Sequence, residues 1–364
     1  MDRKLKIGVA CGGTGGHIFP GLATAYALLE RGHEVTLWMA GKDVESDAVA
    51  GWPGKVVTVP SEGFQFGLSL RSLKTVVRLF KAYRSALRSM RKDPPDVLLA
   101  MGSYASFGPV KAAIKLGVPY VLHEANLVPG RAVSFLARKA DAVAVSFDKT
   151  RYYLKHSRIE TTGMPLRKEL QLASAQPRTK RDPTAPLRIL VMGGSRGAQV
   201  LNLTVPSAIV SAAAAGVLLE VQHIAGLQES SGVERVYASF GIKAQVHHFV
   251  QKMDELYLNV DLAICRSGAA SCAELAAFGV PALFVPYPFA IRDHQMGNAR
   301  VMQDSGAADV VAQDDLTDSW LADYLTNVSR NPKRIERMAV AMKKRAQPDA
   351  VEQLAALLER VAGE

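Results

Sequence analysis

The sequence predicts a doubly wound, parallel α/β protein built as two similar domains, and three observations carry this. Short apolar runs alternate with helix-like ones along the chain. The alternation stops in a polar, proline-bearing stretch at 171–186 and then begins again. Both halves open on a buried run that ends in paired glycines. Continuous apolar runs followed by helical pattern mark strands that crossover helices cover on both faces.

LKIGVAC (5–11) is the first such run, and an apolar helix from Pro20 to Glu30 follows it. EVTLWMA (34–40) is the second strand, DVLLAMG (96–102) leads into the helical KAAIKLG (111–117), and YVLHE (120–124) and DAVAVSF (141–147) continue the sheet. After the break, LRILVMGGSRGAQ (187–199) echoes the opening IGVACGGTGGH (7–17), as expected of two similarly built domains. In open α/β sheets, ligands sit at the carboxyl ends of strands, so both glycine loops are expected to open onto one cleft. Val351, Leu354, Leu357, Leu358 and Val361 recur at helical spacing and predict an amphipathic closing helix.

A chain of 364 residues exceeds what one hydrophobic core usually organises, and 48% hydrophobic with 21% charged residues is a globular composition. The longest apolar stretches, such as Pro281 to Ile291, are too short to cross a bilayer. The first residues lead straight into a glycine loop and read as a strand, not a secretory signal, so a cytoplasmic protein is expected. Cys11, Cys265 and Cys272 form no paired framework and no CxxC, which argues against structural zinc. The net charge of +10 calls for an anionic partner without saying which.

Gly12, Gly13, Thr14, Gly15, Gly16 and His17 lie between a strand and a helix, where backbone N–H groups and the helix dipole favour an anion. Position 18 is Ile, so the dinucleotide fingerprint fails, and the phosphate-loop pattern fails as well. Gly193, Gly194, Ser195, Arg196 and Gly197 form a second candidate, and GSYASFG (102–108) sets small residues at a third helix start. His17 is either a general base or a local hydrogen-bonding group, and Glu124, at another strand end, is a competing base. Between 265 and 299, a helix bearing Glu274 follows Ser267 and Gly268, and RDHQMGN then places amides and a histidine where sugar hydroxyls need partners. A carboxylate facing the cleft accepts both hydroxyls of a ribose.

SGAASCAEL, VPALFVPYP and DHQMGN resemble the UDP-sugar site of GT-B glycosyltransferases. Together with GGTGGHIFPGLA, GSYASFGP, HEAN, TGMPLR and GGSRGAQVLN they resemble, from about Lys6 to Gly306, the MurG family. That family is the UDP-N-acetylglucosamine:N-acetylmuramyl-(pentapeptide) pyrophosphoryl-undecaprenol N-acetylglucosaminyltransferases. The resemblance implies a GT-B fold of two Rossmann-like domains: 1–163 with 345–364 packing back on it for the lipid-linked acceptor, and 164–344 for the donor. It implies inverting transfer of GlcNAc from UDP-GlcNAc to the muramoyl 4-hydroxyl of lipid I, giving lipid II. Glu274 would then hold the ribose, Ser195 and Arg167 the donor phosphates, and Val250 the uracil through its backbone. Asn126, His294 and Gln295 would surround the GlcNAc, with Ala269 and Ala270 lining its pocket and Thr14, Gly15 and Gly16 also on the donor. His17 is the family's usual candidate base; Gly13, Gly16, Gly102, Ser103 and Ser106 would take the lipid pyrophosphate.

This chain departs from the family at Ala125, often Gln there, and at Met164, where Asn often precedes the proline. No Asp-x-Asp pair offers a metal-bridged diphosphate an anchor, so neither metal nor cofactor is expected.

From Phe66 to Lys92 the basic residues Arg71, Lys74, Arg78, Lys81, Arg84, Arg88, Arg91 and Lys92 occur with no acidic one. Leu73, Val76, Val77, Phe80, Tyr83 and Leu87 recur among them at helical spacing. Such a helix either packs its apolar stripe on the sheet or lies on an anionic membrane. The lipid-linked acceptor favours peripheral association at the cytoplasmic face of the inner membrane, with Leu73, Val77, Arg78, Phe80, Lys81 and Arg84 at the surface. Other cell-wall or division proteins are further candidate partners. The competing readings are a UDP-GlcNAc 2-epimerase of the same architecture and a basic nucleic-acid binder, the latter disfavoured because the basic stretch has few aromatic residues. A nicotinamide enzyme is disfavoured because the strand EVTLWMA ends without the acidic residue.

Overall fold

The structure, a computed structural model, describes residues 3–41, 49–60, 70–179, 181–194, 197–226 and 230–364; side chains of 70–76 lie outside that description. Two compact units emerge: Met1–Arg167 with Pro348–Glu364, and Lys168–Gln347. The first unit runs through Arg167, beyond the boundary at 163 read from the sequence.

The first unit comprises β1 (Lys6–Ala10), α1 (Gly15–Glu30), β2 (Glu34–Ala40), β3 (Lys55–Val59), α2 (Leu70–Lys92), β4 (Val97–Ala100), α3 (Phe107–Leu116), β5 (Tyr120–Glu124), α4 (Arg131–Leu136), β6 (Ala142–Val145) and β7 (Ile159–Thr161). Its strands pair in parallel in the order β3-β2-β1-β4-β5-β6-β7. Chain direction across the sheet reverses between β1 and β4, the switch point where ligand loops diverge.

The apolar strands are covered on both faces. One face carries Val9, Leu22, Leu28 and Leu37 together with Leu354, Leu357, Leu358 and Val361; the other carries Leu98, Leu122, Ala86, Met90, Val110 and Val133. The helix α1 lies flush against the end of β1 because residue 21 is glycine: a Cβ there would sit 2.6 Å from Cys11 Cβ.

The second unit comprises α5 (Lys168–Ser174), β8 (Leu187–Met192), α6 (Gln199–Ala214), β9 (Leu219–Ile224), α7 (Ser230–Ser239), β10 (Lys243–His247), α8 (Met253–Asn259), β11 (Leu262–Cys265), α9 (Ala269–Phe278), β12 (Ala282–Phe284), α10 (His294–Asp304), β13 (Ala308–Val310), α11 (Asp318–Arg330) and α12 (Pro332–Lys343). Its parallel order is β10-β9-β8-β11-β12-β13, with the switch point between β8 and β11. Asp261, just before β11, accepts from the Arg188 backbone N–H and from its guanidinium at 2.7 Å, locking the starts of β8 and β11 together.

After α12 the chain returns to the first unit as α13 (Ala350–Gly363). Its apolar stripe enters the β1 core, and Glu359 takes the Arg31 guanidinium at 3.0 Å.

Candidate functional site

In the first unit the loops after β1, β4 and β5 leave the carboxyl edge of one sheet. Gly12 and Gly13 take positive φ (150° and 94°), then extended Thr14 begins α1, so Gly15 and Gly16 occupy the first turn, whose backbone N–H groups lack helical acceptors. A Cβ on Gly13 would meet the Tyr104 ring at 2.8 Å, so the first and third glycine loops close on each other only because residue 13 is glycine. His17 follows within the same turn, half-buried.

Ser103 and Ser106, expected at a pyrophosphate, are both buried. Ser103 Oγ accepts from Ala105 N, capping its own turn, and Ser106 donates to the Ala10 carbonyl at 3.0 Å. Ser106 therefore ties two loops together and presents no hydroxyl; Gly102 takes φ +80°, a backbone conformation that favours glycine.

Glu124 reads differently in the structure than in the sequence. It is 3% exposed, one oxygen accepts from Asn126 N (2.8 Å) and Nδ2 (3.2 Å), and the other accepts from Gly130 N (3.0 Å). Burial raises its pKa, and these N–H groups oppose the rise. Buried and turned onto N–H groups of its own loop, Glu124 shapes the loop that carries Asn126 and has no exposed oxygen to serve as a base. Its neighbour His123 is fully buried, bonded through Nε2 to the Gly163 carbonyl at 2.9 Å. Burial holds the imidazole down at about 4, with His17 close enough to lower it further, so His123 is neutral near pH 7.

Arg167, expected with the donor domain, belongs to the first unit. Its guanidinium lies 4.6 Å from the centre of the Phe19 ring on α1, a cation–π contact beside the first glycine loop.

In the second unit the candidate residues gather on loops and helix starts at the carboxyl edge of the sheet. Glu274 is half-buried on α9, and its Oε2 accepts from the Tyr257 hydroxyl at 2.7 Å. Tyr257 is 1% exposed on α8 and packs 5.1 Å from the Phe278 ring. No sequence motif marks Tyr257, which lies outside the 265–299 segment. A carboxylate oxygen has two lone pairs, so the bond orients Glu274 without using it up.

Ala269 and Ala270 form the first turn of α9 after Gly268. His294 donates from Nδ1 to Ile291 O at 2.8 Å, and Gln295 Oε1 accepts from Tyr287 N at 2.9 Å, so both brace the loop entering α10. That entry is strained: Arg292 and Asp293 both hold left-handed φ (56° and 54°), which costs ~1–2 kcal/mol per non-glycine residue. Arg266, also unmarked by the motifs, clamps the same loop by donating to the Val285 and Pro286 carbonyls. Val250 is half-buried on the loop after β10. Ser195 lies outside the described residues; its loop is flanked by Gly194 and Gly197 at positive φ. Among the described residues no three His, Cys, Asp or Glu side chains converge as a metal-holding group.

The helix α2 divides the stripe read from the sequence. Ala82, Ala86 and Met90, with Tyr83 and Leu87, pack under the sheet, whereas Val77 and Phe80 are 47% and 55% exposed beside Arg78, Lys81 and Arg84. The Leu73 side chain lies outside the described ones. No helix among the described residues is long and apolar enough to cross a membrane.

Residues 7–145 match the glycosyltransferase family 28 N-terminal domain and residues 188–354 the glycosyltransferase family 28 C-terminal domain. The chain is 39% identical over 364 residues to the UDP-N-acetylglucosamine--N-acetylmuramyl-(pentapeptide) pyrophosphoryl-undecaprenol N-acetylglucosamine transferase of Paraburkholderia phymatum, covering 98% of this chain and 94% of that one. It is 38% identical to the enzyme of the same name from Hahella chejuensis, over 95% of both chains. The crystal structure of MurG from Acinetobacter baumannii superposes with a TM-score of 0.80 at 30% identity, covering 98% of this chain and 100% of that one.

Proposed function

Because the chain belongs to the MurG family of family 28 glycosyltransferases, we propose that it transfers GlcNAc from UDP-GlcNAc to the 4-hydroxyl of MurNAc in lipid I, forming lipid II for peptidoglycan. The geometric observation that carries the donor assignment is Glu274, a carboxylate oriented by Tyr257 at the carboxyl edge of the second sheet. It takes the ribose hydroxyls, Val250 the uracil through its backbone, and Ser195 and Arg167 the diphosphate. Asn126, His294, Gln295, Ala269 and Ala270 surround the sugar. The Gly13–Gly16 and Gly102 loops of the first unit take the acceptor's pyrophosphate on backbone N–H groups.

The reaction is one displacement. The acceptor oxygen attacks the anomeric carbon as its proton passes to the His17 imidazole; the bond from that carbon to the diphosphate breaks, and UDP leaves with the electron pair. Charge growing on the leaving group is met by Arg167 and backbone N–H groups. A single backside attack inverts the anomeric centre.

Radiolabelled UDP-GlcNAc with a lipid I analogue separates this from an epimerase. The expected result is label in the lipid product only when acceptor is present. Donor turnover without acceptor, and none into lipid with it, would favour the epimerase.

The exposed face of α2 brings the enzyme to the cytoplasmic face of the plasma membrane, where Val77 and Phe80 enter the headgroup region and Arg78, Lys81 and Arg84 meet anionic lipid. Each basic residue near such a surface contributes ~1 kcal/mol. Reversing Arg78, Lys81 and Arg84 to Glu is expected to weaken sedimentation with anionic liposomes by at least about 100-fold at low salt. Undiminished sedimentation of that variant would rule this face out.

A further inference from the structure

The strand β5 carries a buried group that the displacement does not use. His123 is 1% exposed, and alternation along β5 turns it to the same face of the sheet as Val121, whose core cluster also holds Ile18 and Leu22 of α1. His17 directly precedes Ile18 in the first turn of that helix. The two imidazoles therefore share one face at the carboxyl edge of the sheet, near enough for the charge of one to act on the other.

His123 Nε2 lies 2.9 Å from the Gly163 carbonyl and 3.5 Å from Ser146 Oγ. A carbonyl only accepts, so Nε2 carries the proton. Burial holds the ring at about 4 and hence neutral near pH 7, which leaves Nδ1 a bare acceptor. Among the described residues no donor bonds Nδ1. A buried acceptor without a donor is destabilising, so its presence beside a group that must gain a proton points to a donor that serves during the reaction.

The charged or titratable groups on the neighbouring elements are Cys11 after β1, Tyr104 against Gly13, and Arg167 over the Phe19 ring of α1. The helix α13 meets this face with leucines, and the alternation that brings His123 here turns Glu124 to the other face. Arg167 is a fixed positive charge, which opposes a second one forming nearby. A neutral nitrogen lone pair offsets that opposition without adding charge.

We propose that His123 is a positioning residue for the base: across one water, its bare Nδ1 accepts from the His17 ring N–H, aiming the other His17 nitrogen at the acceptor hydroxyl and stabilising the imidazolium that forms. His123 takes the hydrogen bond and not the proton, because protonation would place a charge on a fully buried ring. This rests on the reading of His17 as the base.

Steady-state transfer to a lipid I analogue across a range of pH tests it. His123→Gln keeps an N–H for the Gly163 carbonyl but has no acceptor at the Nδ1 position. Its kcat is expected to fall about tenfold and the acid limb of its pH profile to move about one pH unit lower, since losing the acceptor makes His17 the weaker base. His123→Asn sets its Oδ1 near the Nδ1 position and gives up the Gly163 bond, and is expected to recover kcat to within about threefold of wild type. A role confined to packing predicts the reverse order, since the Gly163 bond is the one that the fold uses. UDP affinity is expected to stay within about twofold in both variants. Nitrogen-15 spectra of the wild-type chain, which need no variant to fold, are expected to show His123 Nε2 protonated and Nδ1 bare throughout the range in which His17 titrates, with the Nδ1 signal moving as it does. Wild-type kcat with an unmoved limb in His123→Gln, equal loss in both variants, a fall in UDP affinity, or a proton on Nδ1 would each overturn the assignment while leaving His17 as the base. Full kcat in His17→Ala would instead remove the base reading, and this inference with it.

Discussion

Replacing His17 with alanine is expected to lower kcat for transfer to a lipid I analogue by about 10²- to 10⁴-fold, the usual contribution of a positioned general base. The affinity for UDP should hardly move, because the base acts on the acceptor hydroxyl and makes no contact that nucleotide binding needs. Two structural facts favour His17 over its rival. The carboxylate of Glu124 is buried and accepts backbone N–H groups on both oxygens. The neighbouring His123 is held neutral, so it places no fixed positive charge beside the imidazole that must accept a proton. Steady-state rates and UDP titration on the same preparation check both halves; kcat retained within about threefold would move the proton to another acceptor.

Glu274→Ala carries the second large effect, on binding. Hydrogen bonds to a charged group contribute ~1.5–3 kcal/mol each, so losing two from the ribose is expected to weaken UDP binding at least about 100-fold. Tyr257→Phe leaves the carboxylate but frees it from its 2.7 Å hydroxyl, and about a tenfold loss is expected there. Calorimetry with UDP and with 2′,3′-dideoxy-UDP resolves the contact: the two ligands should differ strongly in wild type and little in Glu274→Ala. An undiminished difference in the variant would place the ribose elsewhere.

Much of the architecture was legible because parallel strands covered on both faces print themselves as unbroken apolar runs, as LKIGVAC and LRILVMGG do. The glycine loops were legible for a related reason, since close approaches such as Gly13 on Tyr104 leave a residue type with no substitute. What stayed hidden were pairings between distant segments. Tyr257 meets Glu274 across two helices, and Arg266 reaches the carbonyls of Val285 and Pro286; neither leaves a periodic mark. Ser106 read as a ligand group and Glu124 as a base because hydroxyls and carboxylates at strand ends so often are, and only the structure shows them buried and bonded within the loops. Helical spacing likewise merged two faces of α2 into one stripe, because Phe80 and Tyr83, three residues apart, lie near each other on the helix while only the first is exposed.

The return of α13 to the first unit has a consequence for how the molecule is made. Leu354, Leu357, Leu358 and Val361 complete a core that also holds Val9, Leu22, Leu28 and Leu37, which are translated well before them. The whole of Lys168–Gln347 is translated in between. The second unit therefore has all its residues in hand first, while the older one waits with an apolar face open to solvent and to chaperones. Of the two units, the one begun first is the one finished last.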